Sequence, residues 1–505
     1  MIQSRLPLVN KCVCICLLLL SGLLNNAVAQ VIYPAPAGLK PSDEYQVRLN
    51  GKAAFVYDSP IPAAYCSFDI KNGVDIVIKV NRDIKWVDVR PLSAGIIPVF
   101  KDSSIRIHIS KPQQLSIEIN GSIKHPLFLF ANSIENNKPK KNDANVVFFE
   151  AGKIHYPGII ELKSNQSVYI EGGAVVVGVV KAKGRENVKV FGRGILDGTY
   201  NRNLNDSLMK AKPADLLNAL KSTKGKYNRF LEFIDCENVF VEGVTLHNST
   251  TWQIVPVHCN NVHINNVKVV SDQASDDGTD IVRSKNVIIE NSFYRTKDDC
   301  IAIKAHLDYP KDEGVDQVMV RNCVFWNALW GNGIEIGFEL NSAEVKNVTF
   351  QNCDIIHIEA GAAISIHNAG SGHVKNIVFD DIRIEDARQK LFDLAIFRSQ
   401  YSEDGTRDPE ERRKYYLNGA WDGVLMVPAE LKEKHAPFRG KISDVVFRNI
   451  KIVDGLFPYS VFYGYDARHN INNVTIENLT VHGKRIQSIN KLKLYSENAN
   501  NVVVR

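Results

Sequence analysis

The feature that most constrains this chain is a short repeat that first appears near residue 238 and recurs as far as residue 478. Each copy has Asn, an apolar residue, any residue, a second apolar residue, any residue, and then Asn or Asp. Successive copies between residues 238 and 376 lie 23 to 31 residues apart. The clearest copies begin at Asn261, Asn286, Asn347, Asn376 and Asn473, and close variants begin at Asn238, Gln317 and Asp444. A period of this size, made of short β-type runs without helical periodicity, indicates stacked β coils. We therefore predict an all-β chain whose main part is a right-handed parallel β-helix.

The composition of each copy supports stacking. Apolar and polar residues alternate, so valine and isoleucine side chains can point into the coil while their neighbours face out. The flanking asparagines are typical turn residues, and stacked asparagine side chains can hydrogen-bond to one another as ladders. We therefore expect the asparagines at the coil corners.

The segment before the repeat has a different pattern. Alternating runs at Tyr45–Leu49, Val74–Ile78 and Ile105–Ile109 are separated by Asn-Gly and Pro turns, which predicts a small β-sandwich. A polar stretch at residues 136–143 follows it. The predicted organisation is a signal peptide at residues 1–29, an N-terminal β-sandwich domain at 30–140 and the β-helix domain at 141–505.

Two segments interrupt the period of the repeat. Residues 199–229 contain a predicted short helix from Pro213 to Leu220, and residues 398–440 are charged and aromatic. Insertions in stacked-coil proteins often lie on the binding face, although each segment could equally be a solvated surface loop.

The first 29 residues predict a secretory signal peptide. Arg5 and Lys11 flank the start of an apolar run that ends at Leu20, and the small-residue pattern Ala27-Val28-Ala29 follows. This run is too short for a membrane span and no later stretch is long enough, so we expect an exported protein, periplasmic or extracellular. The formal net charge of +5 is too weak to suggest a nucleic-acid partner. Neither the charge nor the repeat indicates an oligomeric state.

Six cysteines follow the predicted cleavage point, and none has a CxxC or zinc-ligand spacing. We expect buried thiols on stacked strands, with disulfides as the alternative on an oxidising export route.

Two acidic clusters interrupt the apolar repeat near the middle of the chain. They are Ser275-Asp276-Asp277-Gly278-Thr279-Asp280 and Lys297-Asp298-Asp299-Cys300, and 21 residues separate Asp277 from Asp298. That separation is about one coil, so the clusters should stack about 4.8 Å apart and bring Asp277, Asp298 and Asp299 to one cleft. Asp298 and Asp299 are consecutive, so they can share a face only at a bend. Stacked carboxylates raise each other's pKa values, which separates acid and base roles in glycoside hydrolysis.

Two other interpretations of the clusters stay open. Acidic residues at coil corners often only cap turns, although three carboxylates within one coil weaken that interpretation. The oxygen-rich set could also hold calcium in a polysaccharide lyase, with Lys304 or Arg283 as the base. That set is Asp276, Asp277, Asp280, Asp298 and Asp299. We favour hydrolysis, and we expect neither a metal nor a cofactor.

Several residues on neighbouring coils are candidates for binding the substrate. Trp252 lies one coil before Asp277 and could stack on a sugar ring, although a core tryptophan is as plausible. Glu335 lies on the following coil and could bind sugar hydroxyls or simply end a strand. The candidate substrate-binding residues are Trp252, Gln253, Asp280, Lys304, Asn332, Glu335 and His367.

At these residues the sequence resembles two related families. The first cluster resembles the Asn-Thr-Asp-Gly element of glycoside hydrolase family 28, the polygalacturonases. Residues 297–304 resemble that family's Gly-Asp-Asp-Cys-Ile-Ala-Ile-Lys element. Both elements also resemble those of family 49, the dextranases and isopullulanases, and the resemblance covers roughly residues 140–485.

Two departures distinguish the families. Family 28 has Gly-His-Gly on the next coil, where this chain has Gly331-Asn332-Gly333, and then Arg-Ile-Lys, where this chain has Ser365-Ile366-His367. Without that cationic pair, a uronate carboxylate lacks the charge-assisted partners that it needs when desolvated. Family 49 lacks the histidine and carries an N-terminal β-sandwich. The resemblance therefore favours a family 49-like hydrolase of a neutral α-glucan such as dextran or pullulan.

The alternatives are a polygalacturonase-like pectin hydrolase and, from another class, a calcium-dependent lyase or a non-catalytic β-helix that binds polysaccharide. By the resemblance, Asp298 is the general acid, and Asp277 and Asp299 together activate the attacking water in an inverting reaction. Spacing alone does not establish inversion. Inverting enzymes hold their carboxyl groups about 6.5–9.5 Å apart, and adjacent coils could place them nearer the retaining distance of about 5–5.5 Å.

Overall fold

A computed structural model of the chain describes residues 30–58, 63–199, 229–249, 251–305, 309–406, 408, 410 and 423–505. The predicted signal peptide at residues 1–29 and the predicted helix at Pro213–Leu220 lie outside the described residues. Within the described ranges, no helix has the length and hydropathy needed to span a bilayer.

The N-terminal part consists of two stacked β-sheets. Its strands are β1 (Gln30–Ile32), β2 (Tyr45–Leu49), β3 (Lys52–Ala54), β4 (Tyr57–Asp58), β5 (Ala64–Ile70), β6 (Val74–Val80), β7 (Val87–Arg90), β8 (Val99–Lys101), β9 (Ser104–Ile109), β10 (Gln113–Ile119) and β11 (Ser122–Ser133). One sheet has the order β1-β5-β11-β10-β7, with β4 on β5, and the other has the order β3-β2-β6-β9-β8. Alternate residues of β2 and β9 are buried between the sheets, as the alternating sequence predicts.

The rest of the described chain forms stacked coils. The strands are β12 (Val146–Phe149), β13 (Ile154–Glu161), β14 (Ser167–Ile170), β15 (Val175–Lys183), β16 (Glu186–Gly192), β17 (Ile195–Asp197), β18 (Leu231–Ile234), β19 (Glu237–Glu242), β20 (Thr245–His247), β21 (Ile254–Val257), β22 (Asn260–Asn265), β23 (Lys268–Val270), β24 (Thr279–Val282), β25 (Lys285–Glu290), β26 (Phe293–Thr296), β27 (Ile301–Ala305), β28 (Val315–Arg321), β29 (Val324–Asn327), β30 (Ile334–Leu340), β31 (Glu344–Ile358), β32 (Ala362–Asn368), β33 (His373–Ile384), β34 (Lys390–Ile396), β35 (Arg398–Ser399), β36 (Val424–Leu425), β37 (Lys441–Arg448), β38 (Lys451–Ile452), β39 (Tyr459–Tyr463), β40 (Ile471–Glu477), β41 (Thr480–Val481), β42 (Lys484–Arg485), β43 (Leu494–Glu497) and β44 (Ala499–Val504). The described helices are short: α1 (Lys432–His435) and the 3₁₀ turns Leu92–Ala94, Ala429–Leu431, Ala436–Phe438 and Ile489–Lys491.

Parallel pairing between successive coils arranges these strands into three faces. Face A runs through β12, β14, β16, β19, β22, β25 and β28 and continues through β31, β33, β37, β40 and β44. Face B runs through β17, β20, β23, β26 and β29 and continues into the second halves of β31 and β33. Face C runs through β18, β21, β24, β27, β30, β32, β34, β39 and β43. The interior is a continuous column of valine, isoleucine and phenylalanine side chains. The predicted fold class, a right-handed parallel β-helix preceded by a β-sandwich, is confirmed.

The repeated asparagines lie at the coil corners, as the repeat predicts. Asn261, Asn286 and Asn291 have φ angles of 58°, 55° and 54°, in the left-handed region that asparagine tolerates better than most residues. Their side chains stack as ladders: Asn261 Nδ2 donates to Asn238 Oδ1 at 2.5 Å, and Asn291 Nδ2 donates to Asn265 Oδ1 at 2.9 Å.

The sandwich packs against face B of the β-helix. In β11, Leu127 and Leu129 point into the sandwich core, whereas Phe128 and Phe130 point out to the coils. The Phe128 ring lies 4.9 Å from that of Phe293 and 5.8 Å from that of Trp326, measured between centroids. A strand buried on both faces has a nearly continuous apolar sequence, which explains the run from residue 127 to 131.

Ion pairs border the same interface. Arg90 Nη1 lies 2.6 Å from Glu385 Oε2, and His357 Nε2 lies 3.0 Å from Glu118 Oε1. The sandwich therefore covers the face whose strands lead into the turns that carry the acidic clusters.

The six cysteines after residue 29 are buried free thiols. Cys66 lies in the sandwich core, and the other five line the interior of the coils, where the sequence predicts buried thiols.

Candidate active site

The two acidic clusters lie at the corner where face B passes into face C. Asp277 lies two residues before β24, and Asp298 and Asp299 lie in the bend between β26 and β27. Thr279 of β24 pairs with Ile301 of β27, so the two turns stack one above the other. Because the second cluster forms a bend, consecutive aspartates can face the same cleft. One carboxylate oxygen from each of Asp277, Asp298 and Asp299 lies within 4.8 Å of the other two.

The neighbouring Asp276 stabilises the two turns. Its Oδ1 accepts hydrogen bonds from the backbone N–H groups of Lys297 and Asp298, both at 2.9 Å, and its Oδ2 accepts one from Gln273 N at 2.8 Å. The carbonyl oxygen of Asp276 accepts a hydrogen bond from Gln253 Nε2 at 2.9 Å. Gln253 is completely buried, so its described contact is with this turn, and its role in substrate binding stays a prediction.

The bend that carries Asp298 is also closely packed. Its carbonyl oxygen accepts hydrogen bonds from Thr296 Oγ1 at 2.6 Å and Asn327 Nδ2 at 2.7 Å. Gly331 lies against the carboxylate, with φ of 69°, and a Cβ at this position would be only 2.6 Å from Asp298 Oδ1. Glycine is therefore needed here for both backbone conformation and space.

Lys304 supplies a positive charge beside the cluster. Its Nζ lies 3.2 Å from Asp277 Oδ2, 3.2 Å from Asp280 Oδ1 and 3.9 Å from Glu339 Oε2. Asp280 is fully buried, so its described role is to pair with Lys304. Burial opposes the charged lysine, but the carboxylates of Asp277, Glu339 and Asp280 outweigh it and raise the pKa of Lys304 well above its usual value.

The aspartates differ in their electrostatic surroundings. Burial, and then the charge of Asp277, raises the pKa of Asp298 to about 7. Burial, followed by the charges of Asp298 and Glu335, raises the pKa of Asp299 well above its usual value. Carboxyl groups this close exchange protons with one another, so the three aspartates gain and lose protons as a group. Asp298 is the more exposed of the neighbouring pair, since Asp299 is 8% exposed and buried.

Asn332 and Glu335 lie behind Asp299. Asp299 Oδ1 accepts hydrogen bonds from Asn332 N at 2.7 Å and Asn332 Nδ2 at 3.3 Å. Asn332 Nδ2 also donates to Glu335 Oε2 at 3.0 Å, and His367 Nδ1 lies 2.9 Å from that same oxygen. Glu335 has no exposed surface. The candidates Asn332, Glu335 and His367 are therefore brought together beside Asp299, and direct sugar binding by them stays a prediction.

Two tryptophans border the cleft. Trp252 is half-buried, and Lys304 Nζ lies 4.0 Å from its ring centroid, which connects this candidate to Asp277 through the lysine. Trp330 was missed by the sequence interpretation. It is half-buried, its backbone N–H donates to Lys297 O at 2.9 Å, and Lys297 Nζ lies 4.6 Å from its ring centroid. Its place directly before the glycine that faces Asp298 was the signal that could have found it.

The alternative lyase base Arg283 lies away from the cluster. It is buried, and its Nη1 donates to Pro310 O at 2.9 Å and to Glu313 O. Its Nη2 donates to Asn341 O at 3.2 Å. Through these contacts Arg283 holds the backbone at residues 310, 313 and 341, which is a structural role. Lys304 is the basic group next to the three aspartates.

Comparison with known proteins relates this chain to glycoside hydrolases. Residues 149–394 match the family model Glycosyl hydrolases family 28. The chain contains a glycoside hydrolase domain. The matched range includes all three central aspartates and every candidate substrate-binding residue. Polygalacturonase QRT2 from Arabidopsis thaliana is 27% identical over 234 residues, which cover 44% of this chain and 49% of that protein. A polygalacturonase from Malus domestica is 24% identical over 263 residues, which cover 51% of each. The chain thus spans about half the length of these curated relatives.

Solved structures show the same fold. Dex49A from Penicillium minioluteum has a TM-score of 0.62 at 16% identity, covering 94% of this chain and 96% of that one. An exopolygalacturonase from Thermotoga maritima has a TM-score of 0.50 at 20% identity, covering 71% of this chain and 84% of that one. At these identities the likeness extends to the fold alone. The family match names family 28, and the assignment to family 49 stays a prediction.

Proposed function

We propose that this chain hydrolyses α-glycosidic bonds of a polysaccharide, with Asp298 as the general acid and Asp277 and Asp299 as the base that activates water. The observation that carries the proposal is the convergence of three carboxylates, from two adjacent coils, within 4.8 Å of one another. Such a group can hold one proton on an acid while a neighbour stays charged, which the two steps of glycoside hydrolysis require.

The surroundings support this division of roles. The pKa of Asp298 is raised to about 7, so Asp298 is protonated in mildly acidic solution and can donate to a leaving oxygen. Asp277 lies 3.2 Å from Lys304 Nζ, which stabilises its negative charge. Asp299 accepts two N–H donors from Asn332 on one oxygen, and these favour its charged form against the burial and the neighbouring carboxylates that raise its pKa.

Inversion is part of the proposal on the strength of the family resemblance. The carboxylate oxygens approach more closely than the separation of about 6.5–9.5 Å that is usual for inverting enzymes. Proton NMR of the first product released from a defined oligosaccharide distinguishes the two outcomes. Appearance of the β-anomer first supports inversion, and appearance of the α-anomer first contradicts it.

We propose a neutral sugar at the cleavage site, as in dextran or pullulan. A uronate carboxylate would need an unpaired cation, because it would otherwise face the three aspartates. Within the described part of the chain, two of the cations near the aspartates, Lys304 and His367, are already paired, whereas Lys297 lies over the ring of Trp330. Lys304 lies against Asp277 and Asp280, and His367 lies 2.9 Å from Glu335 and 3.1 Å from Asp393.

Polygalacturonate is the second candidate substrate. Its support is the match of residues 149–394 to family 28 and the polygalacturonases among the curated relatives. A reducing-sugar assay on dextran, pullulan and polygalacturonate separates the candidates. Release only from polygalacturonate would overturn the neutral-sugar proposal. Absence of release from a broad panel of polysaccharides would overturn hydrolysis itself.

The Asp298→Asn variant tests the acid. Asparagine keeps the size of the side chain and removes the transferable proton, so hydrolysis should be lost while polysaccharide binding, measured by affinity electrophoresis, is retained. Wild-type rates in the variant would refute the role of Asp298. The calcium-dependent lyase alternative predicts loss of activity on chelation and products that absorb ultraviolet light through a new double bond.

We also propose that the protein is exported, with residues 1–29 removed after Ala29, and that residues 30–140 and 141–505 are its two domains. Mass spectrometry of the mature protein tests the cleavage point. Retention of the first 29 residues on the exported protein would contradict it.

A further inference from the structure

A row of buried polar side chains leads from Asp299 across the following coils. Asn332 connects the first two members, because its Nδ2 lies 3.3 Å from Asp299 Oδ1 and 3.0 Å from Glu335 Oε2. The orientation of this amide is fixed, since its Oδ1 accepts a hydrogen bond from Ala362 N at 2.9 Å. Both carboxylates are therefore acceptors from one amide group.

The row continues through Glu335 to His367 and Asp393. Glu335 Oε2 also accepts a hydrogen bond from Ser365 Oγ, and it lies 2.9 Å from His367 Nδ1. His367 Nε2 lies 3.1 Å from Asp393 Oδ2, and Lys390 pairs with the same carboxylate. Strand register explains the alignment, since Glu335 pairs with Ser365 and Ser365 pairs with Asp393 on successive strands of face C.

The charges along the row alternate. Burial lowers the pKa of His367, but the carboxylates of Glu335 and Asp393 outweigh burial and raise it to about 10, so the ring is an imidazolium at neutral pH. The imidazolium of His367 thus balances the negative charge of Glu335 on the side away from Asp299. The charged groups that face Asp299 itself are Asp298, Glu335, Asp277 and Lys304.

We propose that Asn332, Glu335 and His367 are positioning residues that set how readily Asp299 ionises: the two Asn332 donors favour its charged form, Glu335 opposes it, and His367 offsets Glu335. The proposal rests on the roles given above to the three aspartates. Two N–H donors on Asp299 Oδ1 stabilise its carboxylate, and Glu335 holds the amide that provides one of them. His367 keeps the negative charge of Glu335 from acting on Asp299 in full.

The test is the pH dependence of kcat/KM, because its acid limb reports ionisation of the base in the free enzyme. Glu335→Gln removes a negative charge near Asp299, so the acid limb should move to lower pH by about one unit. His367→Gln leaves Glu335 uncompensated, so the acid limb should move to higher pH by about one unit. His367→Lys restores a positive charge and should return the limb toward the wild-type position.

The chain offers a matched control at the domain interface. His357 is also buried between two carboxylates, 3.0 Å from Glu118 Oε1 and 2.9 Å from Asp386 Oδ2, and it contacts none of the three aspartates in the described contacts. His357→Gln should lower stability as a lost buried ion pair does, while the acid limb stays at the wild-type pH. This control separates loss of packing from a change at Asp299.

Opposite shifts in Glu335→Gln and His367→Gln support the proposal. Shifts in the same direction, or wild-type limbs in both variants with only a lower kcat, overturn it. If the wild-type protein hydrolyses none of the polysaccharides tested, the proposed function fails first, and that result is distinct from a failure of the positioning row. If His367→Gln does not fold, the comparison of Glu335→Gln with His357→Gln decides, since only the former should move the limb.

Discussion

Replacing Lys304 by methionine should lower stability at neutral pH and restore part of it in acid. The ammonium lies 3.2 Å from carboxylates of both Asp277 and Asp280, and 4.0 Å from the ring centroid of Trp252. Methionine fills a similar volume, so the main loss is electrostatic. Removing one partner of a buried ion pair costs about 3–5 kcal/mol, because the remaining charge stays buried without compensation.

The pH dependence of that loss has a definite sign. Burial and the charge of Asp277 raise the pKa of Asp280 well above its usual value even beside Lys304, and removal of the ammonium raises it further. Such a carboxyl group binds more protons in the folded state than in the unfolded state, so stability rises as pH falls. The deficit of the variant relative to wild type should therefore shrink between pH 7 and pH 5.

Urea denaturation followed by tryptophan fluorescence at the two pH values measures this. A Lys304→Met deficit that is absent at pH 7, or equal at both pH values, would refute the reasoning.

Three further outcomes follow from the structure. In Gly337→Ala, with φ of 150°, the new Cβ would lie 2.3 Å from His367 O and 2.4 Å from Glu335 Oε1, so the urea midpoint should fall by an amount equivalent to about 1–3 kcal/mol or more. Asn347→Ala loses the hydrogen bond to Asp316 Oδ1 at 2.7 Å and strains a corner at φ 56°, so it should cost about 1–2 kcal/mol in the same assay, and Asn347→Gly should cost less. Because the pKa of Asp298 is about 7 and the acid must be protonated, kcat should fall as pH rises through 7, and a rate constant that stays flat well above pH 7 would contradict this assignment.

Much of the fold could be predicted because the repeat records backbone conformation directly. A corner in the left-handed region selects asparagine, and the interior selects branched apolar residues, so Asn261 and Asn291 identify coil corners without further information. The convergence of Asp277 and Asp298 could be predicted for the same reason, since their spacing is close to one coil.

The surroundings of the aspartates were less accessible to sequence reasoning. Coil length varies, and the register between β27 and β30 shifts after Ile303, so spacing could not place His367 between Glu335 and Asp393. Burial was also hidden, because a polar residue on the outward side of face C has the same local pattern whether solvent or another side chain covers it. Glu335 and Asp280 occupy such outward positions, and both are nevertheless fully buried.

The docking of the sandwich on face B has a consequence for mechanical precision at the cleft. Phe293 and Trp326 contact the sandwich and lie only a few residues before Asp298 and Asn332 on neighbouring coils. A bare stack of coils is held together only by neighbour-to-neighbour pairing, so small displacements would add up along its length. Because the sandwich contacts several coils at once, it limits the sliding of one coil against the next. We therefore expect the alignment of the carboxylates to depend on residues near position 128, which lie in the sandwich and outside the cleft.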